Sequence, residues 1–212
     1  AKRDIEALYR KKGYYLTTVE VDESALEERG LLIFRIIEGP RVRIKEIEFE
    51  GNDAIRDELL LPEIKTRTHI FLFRRGALDT EVLADDVAAL DEFYKARGYL
   101  DVRVDRTIAL SPDNREAKVT FLIREGPQYR LGSVRTENRL DPTESLEVFS
   151  DEQIAAILDI KPGDVYSRDK LRRSLDMLDT AYGVMGYIDV QLLPSELRRG
   201  PEPIVDLLLE VE

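Results

Sequence analysis

The side chain best suited to proton transfer in this 212-residue chain is His69, its single histidine. A general base needs a partner group at hydrogen-bonding reach. His69 stands between Thr68 and Ile70, with no nucleophile and carboxylate spaced around it as a catalytic set. It reads as a loop histidine. Cysteine is absent, so disulfides, thiolate metal ligation and thiol redox chemistry are excluded. No Walker, Rossmann, HExxH or EF-hand pattern occurs. The acidic run "DTEVLADD" at 79–86 stands where a helix should begin, and a helix dipole favours carboxylates there. The remaining acidic residues are mixed with the 32 basic ones along what read as solvated helix and strand faces. We therefore expect no catalytic residue, no metal ligand and no cofactor.

Charge narrows the partners further. The net charge of −11 gains nothing from counterion release at a phosphate backbone, so nucleic acid is not an expected partner. Split at the two Glu-Gly-Pro sequences, the pieces carry −1, −3 and −7. No run of about 18 apolar residues could cross a membrane as a helix. The chain opens inside a helical pattern, as a piece of something longer would.

The elements that must carry any function repeat. Tyr-x-x-x-Gly-Tyr occurs at Tyr9, Tyr94 and Tyr182, with glycines at 13, 98 and 186. Glu-Gly-Pro occurs at Glu38–Pro40 and Glu125–Pro127. An alternating apolar run precedes each (Leu32, Phe34, Ile36; Val119, Phe121, Ile123), and Leu207, Leu209, Val211 close the chain the same way. Period-two alternation is a strand with one buried face. Before Gly98, Leu83, Val87, Leu90 and Tyr94 mark one helix face; Leu171, Leu175, Leu178 and Tyr182 match them before Gly186. In the first copy only Ile5 and Tyr9 remain. Each tyrosine is the last core-facing residue of its helix, and each glycine stands where a left-handed cap belongs. The motif is a helix stop and strand start.

Strands at 41–52 and 128–138 open the second and third copies. Short helices are expected at Ala54–Leu61 and 150–158, the latter capped by Ser150 or Asp151. Second helices are expected to be capped by Asp79 or Thr80 and by Ser167. The order per copy is strand, helix, helix, strand, strand.

This βααββ repeat resembles tandem POTRA domains. "IEFEGN" (47–52), "KPGDVY" (161–166) and "FYKARGYLDV" (93–102) carry the resemblance, most closely to the periplasmic arm of BamA-type outer-membrane assembly factors. It implies an α+β fold in which each repeat packs a three-stranded mixed sheet on two helices. The divisions would be 1–38, the C-terminal helix and hairpin of a truncated repeat, then 39–125 and 126–212, each complete. Departures exist. Thr136 and Asn138 replace Phe49 and Gly51, residues 139–149 are inserted, and "HIFLFRRGALD" (69–79) stands where the other copy has Gly-Asp-x-Tyr.

The resemblance implies a non-enzymatic module in the periplasm, attached to the outer membrane through a C-terminal β-barrel outside this chain. Its implied partners are unfolded outer-membrane clients and accessory lipoproteins. Other arms of the same fold, in TamA-type factors, two-partner secretion transporters and plastid import channels, are the alternatives; a division protein of FtsQ type carries a single such domain. Clients would add a strand to an open sheet edge. In this family the second strand lies outermost, here about Asp101–Ala109 and Ile188–Leu193. The candidate binding residues are therefore Val102, Arg103, Val104, Asp105, Arg106 and Thr107, and Asp189, Val190, Gln191 and Leu192. The charges on the first strand equally suit protection against stray pairing. Ile70, Phe71, Leu72 and Phe73 form a second candidate, an apolar loop patch or a core plug. The Glu-Gly-Pro joints should be short and stiff.

Overall fold

A computed structural model describes residues 1–69, 76–143, 146 and 148–212. Contacts divide it into two compact units: Ala1–Asp91 with Arg103–Arg124, and Glu92–Val102 with Glu125–Glu212.

The first unit begins with helix α1 (Lys2–Lys11) and an antiparallel pair, β1 (Thr18–Val21) and β2 (Phe34–Ile37). The hairpin expected here carries a helix in its connection, α2 (Glu23–Arg29). Asp22 caps its start through the Ala25 N–H, and Gly30 ends it in the left-handed region. The pair covers little of its own apolar surface: Ile33, Ile36 and Ile37 are exposed.

The rest of the unit builds a sheet from β3 (Arg43–Glu50), β4 (Arg103–Leu110) and β5 (Glu116–Arg124). Its order is β3-β5-β4, with β3 parallel and β4 antiparallel to the central β5. A parallel neighbour requires a long crossover, supplied by α3 (Asp57–Leu60) and α4 (Thr80–Lys95). The helix expected over Ala54–Leu61 is shorter: Arg56 is extended and delays its start to Asp57, and Pro62 follows its single turn. Ile44, Leu60, Ile64, Leu78, Leu83, Leu90, Val119 and Phe121 are the buried core of this unit. Asp79 caps α4, accepting from the Glu81 N–H at 2.9 Å.

The second unit repeats the plan with β6 (Arg130–Asn138), β7 (Leu192–Arg198) and β8 (Ile204–Val211), in the order β6-β8-β7. Helices α5 (Asp151–Ile157) and α6 (Arg168–Val184) make the crossover. Ser150 closes a capping box with Gln153, and Ser167 caps α6 through the Lys170 N–H. Both parallel pairs slip in register at matching places, Ile44/Glu46 and Leu131/Val134. That bulge re-phases each first strand, which is why apolar positions run 42, 44 and then 47 in one copy, 129, 131 and then 134 in the other. The mixed three-stranded sheets with helical crossovers are the α+β architecture expected from the repeat.

The tyrosine motif folds identically three times. Gly13, Gly98 and Gly186 have φ of 90, 91 and 95°. Each following tyrosine N–H reaches back to the carbonyl of the earlier tyrosine at 3.0, 3.1 and 3.1 Å, and each glycine N–H to the carbonyl three residues back. Those two bonds define a Schellman C-cap. The two tyrosine rings then meet edge-on, with centroids 5.9, 5.6 and 6.3 Å apart.

Candidate protein-binding strand edges

Both complete sheets end on their second strand, so β4 and β7 each present one lateral row of backbone groups beyond the sheet. Which groups point outward follows from the antiparallel alternation of bonded and non-bonded pairs. On β4, the Ser111 N–H donates to the Glu116 carbonyl at 2.9 Å. Counting back through the register makes Ala109, Thr107, Asp105 and Arg103 the residues bonded to β5. Val104, Arg106, Ile108 and Leu110 therefore turn their N–H and carbonyl groups outward. Their side chains lie on the helix-covered face, opposite buried Ile123, Phe121, Val119 and Ala117, and are half-buried. Arg106 donates to the Thr80 carbonyl at 3.4 Å. Its outward N–H is occupied by a neighbour: the Asp105 carboxylate accepts it at 2.7 Å.

On β7 the same count starts from Gln191 and Glu212, which exchange two backbone bonds of 2.8 and 3.0 Å. Leu192, Pro194, Glu196 and Arg198 then face outward. Pro194 has no N–H, so this row has a gap in its middle. Glu196 ties the strand to the helix layer. Its carboxylate takes two bonds from Arg168, at 2.7 and 2.8 Å, and one from the Tyr166 hydroxyl at 2.9 Å. Burial pushes the Glu196 carboxyl up, but the bonds from Arg168 and Tyr166 outweigh it and hold the group below the usual glutamate range. Burial, reinforced by the Glu196 charge, drives the Tyr166 phenol upward.

The expected site residues fall unevenly on these edges. Arg103, Val104, Asp105, Arg106 and Thr107 are all in β4. Val102 is buried just before it. Only Leu192 of the second set lies in a strand. Asp189, Val190 and Gln191 precede β7, and Val190 packs against the core of its unit. The strand expected at Ile188–Leu193 thus runs from Leu192 to Arg198. A proline in an alternating run reads as a turn, yet an edge strand accepts it where its nitrogen faces away from the sheet. Glu196 was missed with that stretch; its acidic side chain between Leu193 and Leu197 was the available signal. Ile70, Phe71, Leu72 and Phe73 lie outside the described residues.

Buried polar groups elsewhere are committed to structure. Among the described residues, no buried side-chain nitrogen or oxygen lacks a hydrogen bond. Asp86, 1% exposed, accepts the N–H groups of Lys65 at 2.6 Å and Thr66 at 3.0 Å. It anchors the segment ahead of α4 rather than serving only as an acidic helix start.

Two mixed sheets, each with helices as crossovers and its second strand at the border, form a tandem of one repeated unit. The family described as "POTRA: Surface antigen variable number repeat" matches residues 42–126 and 143–212. The chain belongs to the POTRA family, with two matched repeats in tandem. It is 27% identical over 181 residues to the outer membrane protein assembly factor BamA of Neisseria meningitidis serogroup B, covering 84% of this chain and 22% of that protein. With BamA of Nitratidesulfovibrio vulgaris it shares 28% over 210 residues, 98% of this chain and 25% of that protein. The chain thus spans about a quarter of the length of the curated relatives it matches. In fold it is similar to the crystal structure of Haemophilus influenzae BamA POTRA3-5, with TM-score 0.56 and 16% identity, over 99% of this chain and 78% of that one. It also matches BamA from Haemophilus ducreyi lacking POTRA domains 1-3, with TM-score 0.53 and 15% identity, over 80% of this chain and 29% of that one.

Proposed function

We propose that this chain is part of the periplasmic arm of an outer-membrane β-barrel assembly factor, and that it acts as a binding scaffold rather than a catalyst. Residues 1–38 are the later part of one POTRA unit, and 39–125 and 126–212 are two whole ones. Unfolded outer-membrane clients add a strand to the open sheet borders, and accessory lipoproteins dock on the same arm. The single observation that carries this reading is the outward backbone row of β4, Val104 to Leu110, whose donors and acceptors recur at every second residue, the Arg106 N–H alone being held by Asp105. Backbone pairing ignores side-chain identity, so one border serves many client sequences. The kinship with BamA supports the choice of client.

A peptide copied from an outer-membrane β-strand, titrated into labelled protein, tests this. Amide resonances of Arg103–Leu110 are expected to shift together, with smaller shifts along Leu192–Arg198. Shifts confined to loops, with both strands silent, would refute strand addition.

A further inference from the structure

The three tyrosine-glycine turns share a backbone but not their surroundings. In the first unit, the Val42 N–H donates to the Gly13 carbonyl at 2.8 Å, while the Val42 carbonyl accepts from the Leu78 N–H at 3.2 Å. A Cβ added to Gly13 would meet Ala77 at 3.1 Å. In the second unit the Tyr129 N–H donates to the Gly98 carbonyl at 2.8 Å, while the Tyr129 carbonyl accepts from the Tyr166 N–H at 2.9 Å. A Cβ on Gly98 would meet the Tyr166 carbonyl at 2.8 Å. Leu100, just past that turn, is 5% exposed and sits in a core cluster with Leu131, Tyr166 and Leu207. The Asp101 carboxylate accepts the Tyr129 hydroxyl at 2.8 Å and an Arg198 guanidinium N–H. Each covered turn therefore meets the start of a first strand written Gly-Pro-x-apolar-Arg-apolar, at 39–44 and at 126–131.

The turn at Gly186 repeats the Gly-Tyr-apolar-Asp sequence of the Gly98 turn and has no such cover. Nothing described lies within 4 Å of a Cβ built there. Ile188, in the place of Leu100, is 85% exposed; Val184, Met185 and Tyr187 beside it are 82, 60 and 48% exposed. Asp189, in the place of Asp101, is exposed too.

We propose that the Val184–Asp189 turn is the docking site for the leading strand of a further βααββ unit. That strand gives a backbone N–H to the Gly186 carbonyl and a hydroxyl to Asp189, and the unit it leads gives a guanidinium to Asp189 and an apolar pocket to Ile188. Continuity with the covered turns identifies the occupant: the chain twice seats the N–H of a leading strand on the glycine carbonyl of this turn, and the third turn keeps the Gly-Tyr-apolar-Asp groups that the Gly98 interface uses. The site is separate from the β4 and β7 borders and does not rest on client binding there.

The chain lacks cysteine, so Ile188→Cys introduces a single thiol reporter. Its maleimide labelling rate is measured in the 212-residue chain and in one lengthened after Glu212 by a second copy of residues 125–212, which supplies a leading strand. Labelling is expected to slow at least tenfold in the lengthened chain. Amide exchange over 186–190, without the substitution, should show the same protection. An unchanged rate overturns the proposal. So does an added copy that fails to fold, because the turn should complete its core as Leu100 completes the original. Slowing in the 212-residue chain as concentration rises would assign the surface to self-association and equally overturn it.

Discussion

Two carboxylates hold irregular backbone and sheet border in place. Asp86 satisfies two backbone N–H groups from inside the core. Its replacement by alanine leaves both donors unpaired, and one such loss costs roughly 1–3 kcal/mol. Asp86→Ala is expected to lower the first unit's stability by about 2–4 kcal/mol in urea unfolding, and Asp86→Asn to recover part of it through its remaining acceptor oxygen. Glu196 predicts a pH effect. Its folded pKa lies below the ordinary value, so the stability it adds is complete above the unfolded pKa of about 4.3. That stability is lost as pH falls through the lower, folded value. The second unit should therefore weaken on acidification below pH ~4.3, and Glu196→Gln should weaken less over that window; thermal unfolding of both proteins from pH 6 to 3 measures the difference. Caps such as Asp79, Ser150 and Ser167 were legible in the sequence because each acts within a turn of itself. Asp86 and Glu196 were not, since their partners lie 20–21 and 28–30 residues away.

At the level of elements, β4 and β7 occupy the same place in their sheets but differ as templates. The β4 row has a donor at each outward position, with the Arg106 N–H held by Asp105. The β7 row is broken at Pro194 and pinned from behind by Glu196. Both devices restrain casual pairing, in keeping with the charged and proline-bearing borders that limit aggregation. Asp105→Ala should free the Arg106 donor and tighten strand-peptide binding several-fold at β4. Pro194→Val should complete the β7 row and give that border measurable peptide binding or concentration-dependent self-association; sedimentation and peptide titration read both. If neither substitution changes binding, the backbone rows do not control access. The alternating runs made the strands legible, while their order came from the POTRA resemblance alone. The end of β7 was not legible, because proline punctuates a sequence while an edge position tolerates it.

At the level of the whole molecule, the compact units do not follow the repeat register. Residues 92–102, which end the second helix of one repeat, pack with residues 125–212. The sequence shows the turn as punctuation, and its three copies are alike enough to be found by eye. What it does not show is that the residue after Gly-Tyr is also a core residue for strands that come later in the chain. Leu100 makes the point, since its neighbours Leu131 and Leu207 are far along the sequence. Truncating a buried leucine to alanine costs about 2–5 kcal/mol. Leu100→Ala is therefore expected to destabilise the second unit by that order and to lower amide protection at Leu131 and Leu207. Ile188→Ala, at the same motif position but exposed, should change stability by less than about 0.5 kcal/mol. Native-state hydrogen exchange on the two variants separates these outcomes. Equal and small effects would mean that the Gly98 turn is only a helix stop and that the second unit is complete without it.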